Sequence, residues 1–107
     1  MNPPYTYLND LISQLPEIPA DSIVSRTLYS DERMKVVLFG FAPGQELSEH
    51  TASQPALIHI LDGEATLTLG EDTQDATGGT WVHMTPNLPH SLQAKTAVKM
   101  LLTLLKS

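Results

Sequence analysis

The sequence predicts an all-β domain, a sandwich or barrel, preceded by a short N-terminal helix. Two observations carry this. From residue 22 onward, short apolar and β-branched runs recur at roughly ten-residue spacing, separated by turn signals. Within one of them, Thr66, Leu67, Thr68 and Leu69 alternate polar and apolar, as a half-buried strand must when successive side chains point to opposite faces.

Taken in order, Leu8, Leu11, Ile12 and Leu15 fall at i, i+3, i+4 and i+7, the apolar face of a helix of about two turns. Thr6 or Asn9 supplies its cap and Pro16 stops it. So short a helix is unstable alone and must dock on something, so residues 1–21 read as a leader packed on the domain formed by residues 22–107. The strand runs are 23–29, 34–41, 57–61, 65–69, 80–84, 90–94 and 98–105. Their separators are Ser30-Asp31-Glu32, Pro43-Gly44, Asp62-Gly63, Gly70-Glu71-Asp72, Gly78-Gly79 and Pro86-Asn87. Asp62-Gly63 between two apolar runs signals a tight hairpin. The last run is apolar enough for a core helix, but Thr103 and the β-rich context favour a strand.

Composition narrows the function. A length of 107 residues fits one domain. There are no cysteines, which removes disulfides, thiolate metal sites, thiol redox chemistry and a cysteine nucleophile. Six Lys plus Arg against twelve Asp plus Glu give a net charge of −6, which argues against nucleic-acid and anionic-membrane partners. No apolar run approaches the ~20 residues of a membrane span. Met1-Asn2-Pro3-Pro4 does not look like a signal peptide, so a cytoplasmic protein is the expectation. There is no Gly-x-Ser-x-Gly elbow and no phosphate-binding glycine loop. The carboxylate pairs Asp31-Glu32 and Glu71-Asp72 lie in turns, where such groups are usually only solvated.

The four histidines carry what chemistry the sequence offers. His50 follows Gly44 by six positions and Gly63 closes that stretch; His90 follows Gly79. In these two motifs the chain resembles the cupin family, small double-stranded β-helix barrels. The resemblance spans about residues 34–105. It implies a cupin barrel, a metal held by three histidines and a glutamate in many members, and a homodimer.

The departures from that pattern matter. Ala52 stands where the second histidine is placed and Ala56 where the glutamate is placed. In the second motif Thr85 replaces proline, Asn87 glycine and Ala94 asparagine. Asn87 is a mild change, because asparagine tolerates the left-handed backbone of a turn. The alanines leave His50 and His90 as the only candidate metal ligands from the family set. Two imidazoles hold a divalent transition metal (zinc, nickel, iron, manganese or copper) only weakly unless another oxygen or nitrogen donor joins. Gln54 is near enough in sequence to swing in but carries no charge; Glu49 adjoins His50 and alternation turns it away. No cofactor is fixed by the sequence.

If Ala56 points inward, Ile58 and Ile60 share its face and His59 points outward; Val82 and Met84 likewise face in, and His83 faces out with Trp81. His59 and His83 then belong to a subunit contact or lie beneath the leader. The expected mouth is lined by His50, Ala52, Gln54, Ala56 and His90, with apolar walls from Ile58, Ile60, Val82, Met84 and Leu92, a concave apolar site with a few polar groups that suits a small-molecule ligand. Three readings follow: a cupin that binds a small molecule, with at most a weak two-histidine metal site; a metal-dependent dioxygenase or isomerase using His50 and His90; and a dimerisation module. A metal-free enzyme with a histidine general base stays open.

Overall fold

The computed structural model describes residues 3–106 and is nearly all β. The strands among them are β1 (Ile23–Ser30), β2 (Met34–Phe41), β3 (Glu46–His50), β4 (Ala56–Asp62), β5 (Glu64–Leu69), β6 (Asp72–Thr77), β7 (Trp81–Met84), β8 (His90–Ala94) and β9 (Val98–Leu105). They form a five-stranded sheet in the order β1-β2-β9-β4-β7 and a four-stranded sheet in the order β3-β8-β5-β6. Every pairing is antiparallel. The two sheets lie face to face in the all-β architecture the sequence predicts.

Alternation decides what each strand gives to the interior. In β4, Ala56, Ile58 and Ile60 are buried while Leu57 and His59 are half-buried on the other face. In β9, Val98 and Met100 are buried and point the same way as Leu102 and Leu104. The four-stranded sheet answers with Ala65, Leu67, Ala76, Leu92 and Ala94. Phe39 and Phe41 stack with ring centroids 6.1 Å apart and fill one end of this interior.

Two strands escape the sequence patterning. β3 has the sequence Glu-Leu-Ser-Glu-His and β6 has Asp-Thr-Gln-Asp-Ala-Thr. Each sends a single apolar residue, Leu47 or Ala76, to the core. Both are edge strands, where exposed acidic side chains discourage pairing with another chain.

The predicted leader helix is a correction. Only Ile12–Gln14 turns, as a single 3-10 turn, and Leu11 at its start makes no side-chain capping bond. Neither Thr6 nor Asn9 caps a helix there. The five-stranded sheet itself competes for the leader's carbonyls: Lys99 Nζ donates to Ile12 O at 3.2 Å and Arg26 donates to Gln14 O at 2.9 Å. Leu15 and Ile18 settle over Gly40, whose missing side chain lets them approach the outer face of the five-stranded sheet. The apolar periodicity therefore reports docking rather than a helix too short to hold itself.

Asp62-Gly63 is a turn, but not a hairpin. β4 pairs with β7 and β9, whereas β5 pairs with β6 and β8, so the chain changes sheets at this corner. Gly63 has φ +96°, and a Cβ there would run into the carbonyl oxygen of Ala97 and the Cα of Val98. Gly63→Ala should destabilise the domain by about 2–4 kcal/mol, which lowers the melting temperature by roughly 10 °C or more. Thermal unfolding followed by circular dichroism checks this, and a wild-type melting temperature would contradict the crowding.

Candidate functional site

His50 ends β3 and His90 begins β8, and the two are directly paired across the strands. Simple alternation from Leu47, which faces the core, would place Glu49 inward and His50 outward. The structure inserts a bulge: Leu47 pairs with Leu92, and the next pair is His50 with His90, so β3 has one residue more than β8 over that interval. One extra residue reverses the side-chain phase and brings His50 onto the face of Leu47. Glu49 is exposed, as the sequence predicts, but the bulge rather than adjacency alone sets its neighbour's direction.

The imidazoles lie with ring centroids 4.1 Å apart and planes inclined at 57°. Each is anchored by the carbonyl two residues before it. His50 Nδ1 lies 2.9 Å from Ser48 O, and His90 Nδ1 lies 2.8 Å from Leu88 O. A carbonyl oxygen only accepts, so the ring proton sits on Nδ1 and donates. In the neutral rings both Nε2 atoms then carry a lone pair available to a ligand. His90 is 7% exposed while His50 is open to solvent, so the pair joins the interior to the surface.

Below the rings is a cavity of about 20 Å³ lined by Leu47, Ile58, Leu92, Met100 and Leu102, with Ser91 at its side. It is about large enough for one water. Of the residues predicted for the mouth, His50, His90, Ile58 and Leu92 meet here. Ala56 and Met84 face each other across β4 and β7 and are fully buried in the core. Ala52 and Gln54 are half-buried in the connection from β3 to β4. The Ala52 carbonyl accepts from the Asn87 amide at 2.7 Å, and Asn87 has the left-handed φ of +67° expected of it. This bond ties the two histidine-bearing loops together. Leu47, Ser91, Met100 and Leu102 are additions to the predicted lining. The β9 pair could have been found from alternation, because Leu102 lies opposite Ile58 and Met100 opposite Ile60.

His59 and His83 are on the opposite face of the five-stranded sheet, beside exposed Trp81, as alternation predicts. Among the described residues, no group of three or more His, Cys, Asp and Glu is placed to hold a metal ion. The donors present at the mouth are two imidazoles in the right tautomer, and the four-ligand set typical of the resemblance is incomplete.

Comparison with known proteins agrees with this architecture. Residues 37–104 match the cupin domain family, and the chain belongs to it. The crystal structure of the conserved SPY1581 protein of unknown function from Streptococcus pyogenes is similar, with 30% identity and a TM-score of 0.85, covering 100% of this chain and 93% of that one. A cupin superfamily protein from Desulfitobacterium hafniense shares 28% identity with a TM-score of 0.86, covering 100% and 97%. The polyketide cyclase RemF from Streptomyces resistomycificus, at 18% identity, a TM-score of 0.73 and coverage of 82% and 68%, shares the fold alone. No curated protein gives a significant match. No helix among the described residues is long and apolar enough to cross a membrane.

The bulge makes a specific prediction. Deleting Ser48 removes the extra residue and leaves His50 two positions after Leu47, so regular alternation keeps it on the same face, opposite His90. Ring-to-ring NOE cross-peaks between His50 and His90 should therefore persist in the deletion variant, with the folded spectrum retained. Loss of the cross-peaks in a folded variant would show that the two-against-three register at this bulge is not what aims His50.

Proposed function

We propose that this cupin binds a small molecule at its mouth, on the two Nε2 atoms of His50 and His90. The observation that carries the reading is the pair of anchored imidazoles: both protons are committed to backbone carbonyls, and both lone pairs remain for a ligand. Neutral imidazoles in this state accept hydrogen bonds, so the site suits a hydroxyl- or amide-bearing ligand. The ~20 Å³ cavity holds no organic molecule, so such a ligand sits above it, over exposed His50, with Ile58 and Leu92 as the apolar floor.

A second reading is supported by the same anchors. Metal-bound histidines typically donate their other ring N–H to a carbonyl or carboxylate, which fixes the tautomer and orients the lone pair. Two such donors fit a transition ion whose remaining positions are filled by water or substrate, the arrangement a metal-dependent dioxygenase or isomerase would need. With two protein donors the ion exchanges readily, so the metal is a weak and replaceable ligand of this mouth rather than a fixed centre.

Titration of the purified, untagged chain with zinc, nickel, copper, manganese and ferrous iron separates the readings. The binding-protein reading predicts weak association, with a dissociation constant of tens of micromolar or more, abolished in His50→Ala with the metal-free fold unchanged. Near-stoichiometric metal retained through purification and lost in His50→Ala would transfer the conclusion to the enzyme. Tight metal binding that survives both His50→Ala and His90→Ala would overturn the site itself. In the reverse direction, Ala52→His with Ala56→Glu tests whether those positions correspond to the family's missing ligands. Because Ala56 is buried opposite Met84, a gain in zinc affinity of 100-fold or more requires local repacking. No gain would place the missing ligand positions elsewhere.

A further inference from the structure

A second concavity lies away from the mouth, between the leader and the outer face of the five-stranded sheet. It encloses about 750 Å³, a volume in the range of small-molecule sites. Tyr5, Leu8 and Leu11 form one wall, and Leu28, Tyr29, Met34 and Val36 the other. Both walls are anchored. Arg26 holds the leader by the Gln14 carbonyl and Lys99 holds it by the Ile12 carbonyl. The turn from β1 to β2 is closed by Asp31, whose Oδ1 accepts from the amides of Arg33 at 2.7 Å and Met34 at 2.9 Å. The sheet wall owes its composition to a bulge. Thr27 pairs with Val37 and Tyr29 pairs with Val36, so Leu28 is an extra residue in β1. Regular alternation would send Leu28 and Tyr29 to opposite faces, whereas the extra residue lets both line the groove. The Tyr29 hydroxyl donates to Asp31 Oδ2 at 2.6 Å.

We propose that this groove binds an organic ammonium ion carrying an apolar tail, with the cationic head at Tyr29 and Asp31 and the tail along Leu8, Leu11, Leu28 and Met34. Three observations select that chemistry. First, Asp31 is the only charged residue among the described residues that line the groove. The Tyr29 hydroxyl, and then the amides of Arg33 and Met34, hold its carboxyl below the usual carboxylate range, so it is ionised. Second, the polar end offers acceptors. A carboxylate has about four lone-pair sites, and these three donors leave one on Oδ2. Tyr29 has given its only hydroxyl proton to Asp31 and keeps oxygen lone pairs for a ligand. A head group that donates and is positive fits both. Third, the rings of Tyr5, 70% exposed, and Tyr29 line the groove, and an aromatic face attracts a cation. Lys106 offsets part of the Asp31 charge, but its Nζ donates to the Asp31 carbonyl at 2.8 Å and to Ser30 Oγ at 3.3 Å. The net charge of −6 favours the approach of cations from a distance.

Three probes of similar shape test this: phenethylamine, which is protonated near neutral pH, phenethyl alcohol and phenylacetate. Each is titrated into the intact nitrogen-15-labelled chain while the amide shifts are followed. The amine should shift Leu28, Tyr29, Asp31 and Met34, with a dissociation constant of about 1 mM or below. The alcohol should bind about tenfold more weakly, and the carboxylate more weakly still. Asp31→Asn keeps an oxygen for the turn amides and should erase the advantage of the amine over the alcohol. If that variant does not fold, the wild type alone decides: raising the salt to about 0.5 M should weaken the amine and leave the alcohol unchanged. Equal affinity for the three probes, an advantage that survives Asp31→Asn or high salt, shifts confined to the surroundings of His50 and His90, or no binding would each overturn the proposal. Groove amides that shift with protein concentration and ignore all three probes would give the groove to a second copy and overturn it as well.

Discussion

Face-to-face packing of the two sheets governs everything else in this molecule. Ile58, Ile60 and Met100 from one sheet and Leu67 and Leu92 from the other are removed from water almost completely. Each such side chain contributes about 1.5–3 kcal/mol relative to an exposed position. This shared interior fixes the phase of every strand that enters it. A residue's power to act on a ligand then depends on where its strand leaves the interior. His90 is at such a place: its own strand continues inward with Leu92 and Ala94, so its ring faces the same way while lying beside the surface. The sheet-changing corner at Gly63 has the same origin, since the chain must pass from one wall of the interior to the other without room for a side chain.

The site is a departure from that regularity placed at its edge. β3 has few apolar contacts and a single sheet neighbour, so it accommodates an extra residue at small cost. The bulge turns His50 inward against His90, and the carbonyls of Ser48 and Leu88 then determine which nitrogen of each ring is free. Alanine at positions 52 and 56 withholds the further ligands that the family resemblance implies. The mouth is thus chemically simple: two oriented bases over an apolar floor. The outer face of the five-stranded sheet carries His59, His83 and exposed Trp81 toward one edge, and Arg26 and Lys99 bonded to the leader toward the other.

Much of this could be read from the chain. Alternation along β4 and β7 separates Ile58 and Met84 from His59, Trp81 and His83 because both strands have one dry face and one wetter face. Asn87 announces its left-handed turn because few other residues tolerate one. What could not be read has physical reasons. β6 and β3 lie at sheet edges and give one apolar residue each to the core, so no periodicity marks them. The leader's leucines repeat like a helix, yet Lys99 and Arg26 take carbonyls that a longer helix would use internally. Asp62-Gly63 specifies a turn but not which strands pair beyond it. The bulge in β3 is invisible because it is a mismatch between two strands, and only their pairing reveals it.

The account stands on the state of two rings. A long-range proton–nitrogen correlation spectrum of the nitrogen-15-labelled chain, recorded at a pH where both imidazoles are neutral, reads the tautomer of each histidine directly. For His50 and His90 the proton should reside on Nδ1 and Nε2 should carry the lone pair. A proton on Nε2 of either ring would mean that its carbonyl anchor does not hold in solution, and the mouth would no longer present two oriented bases to a ligand.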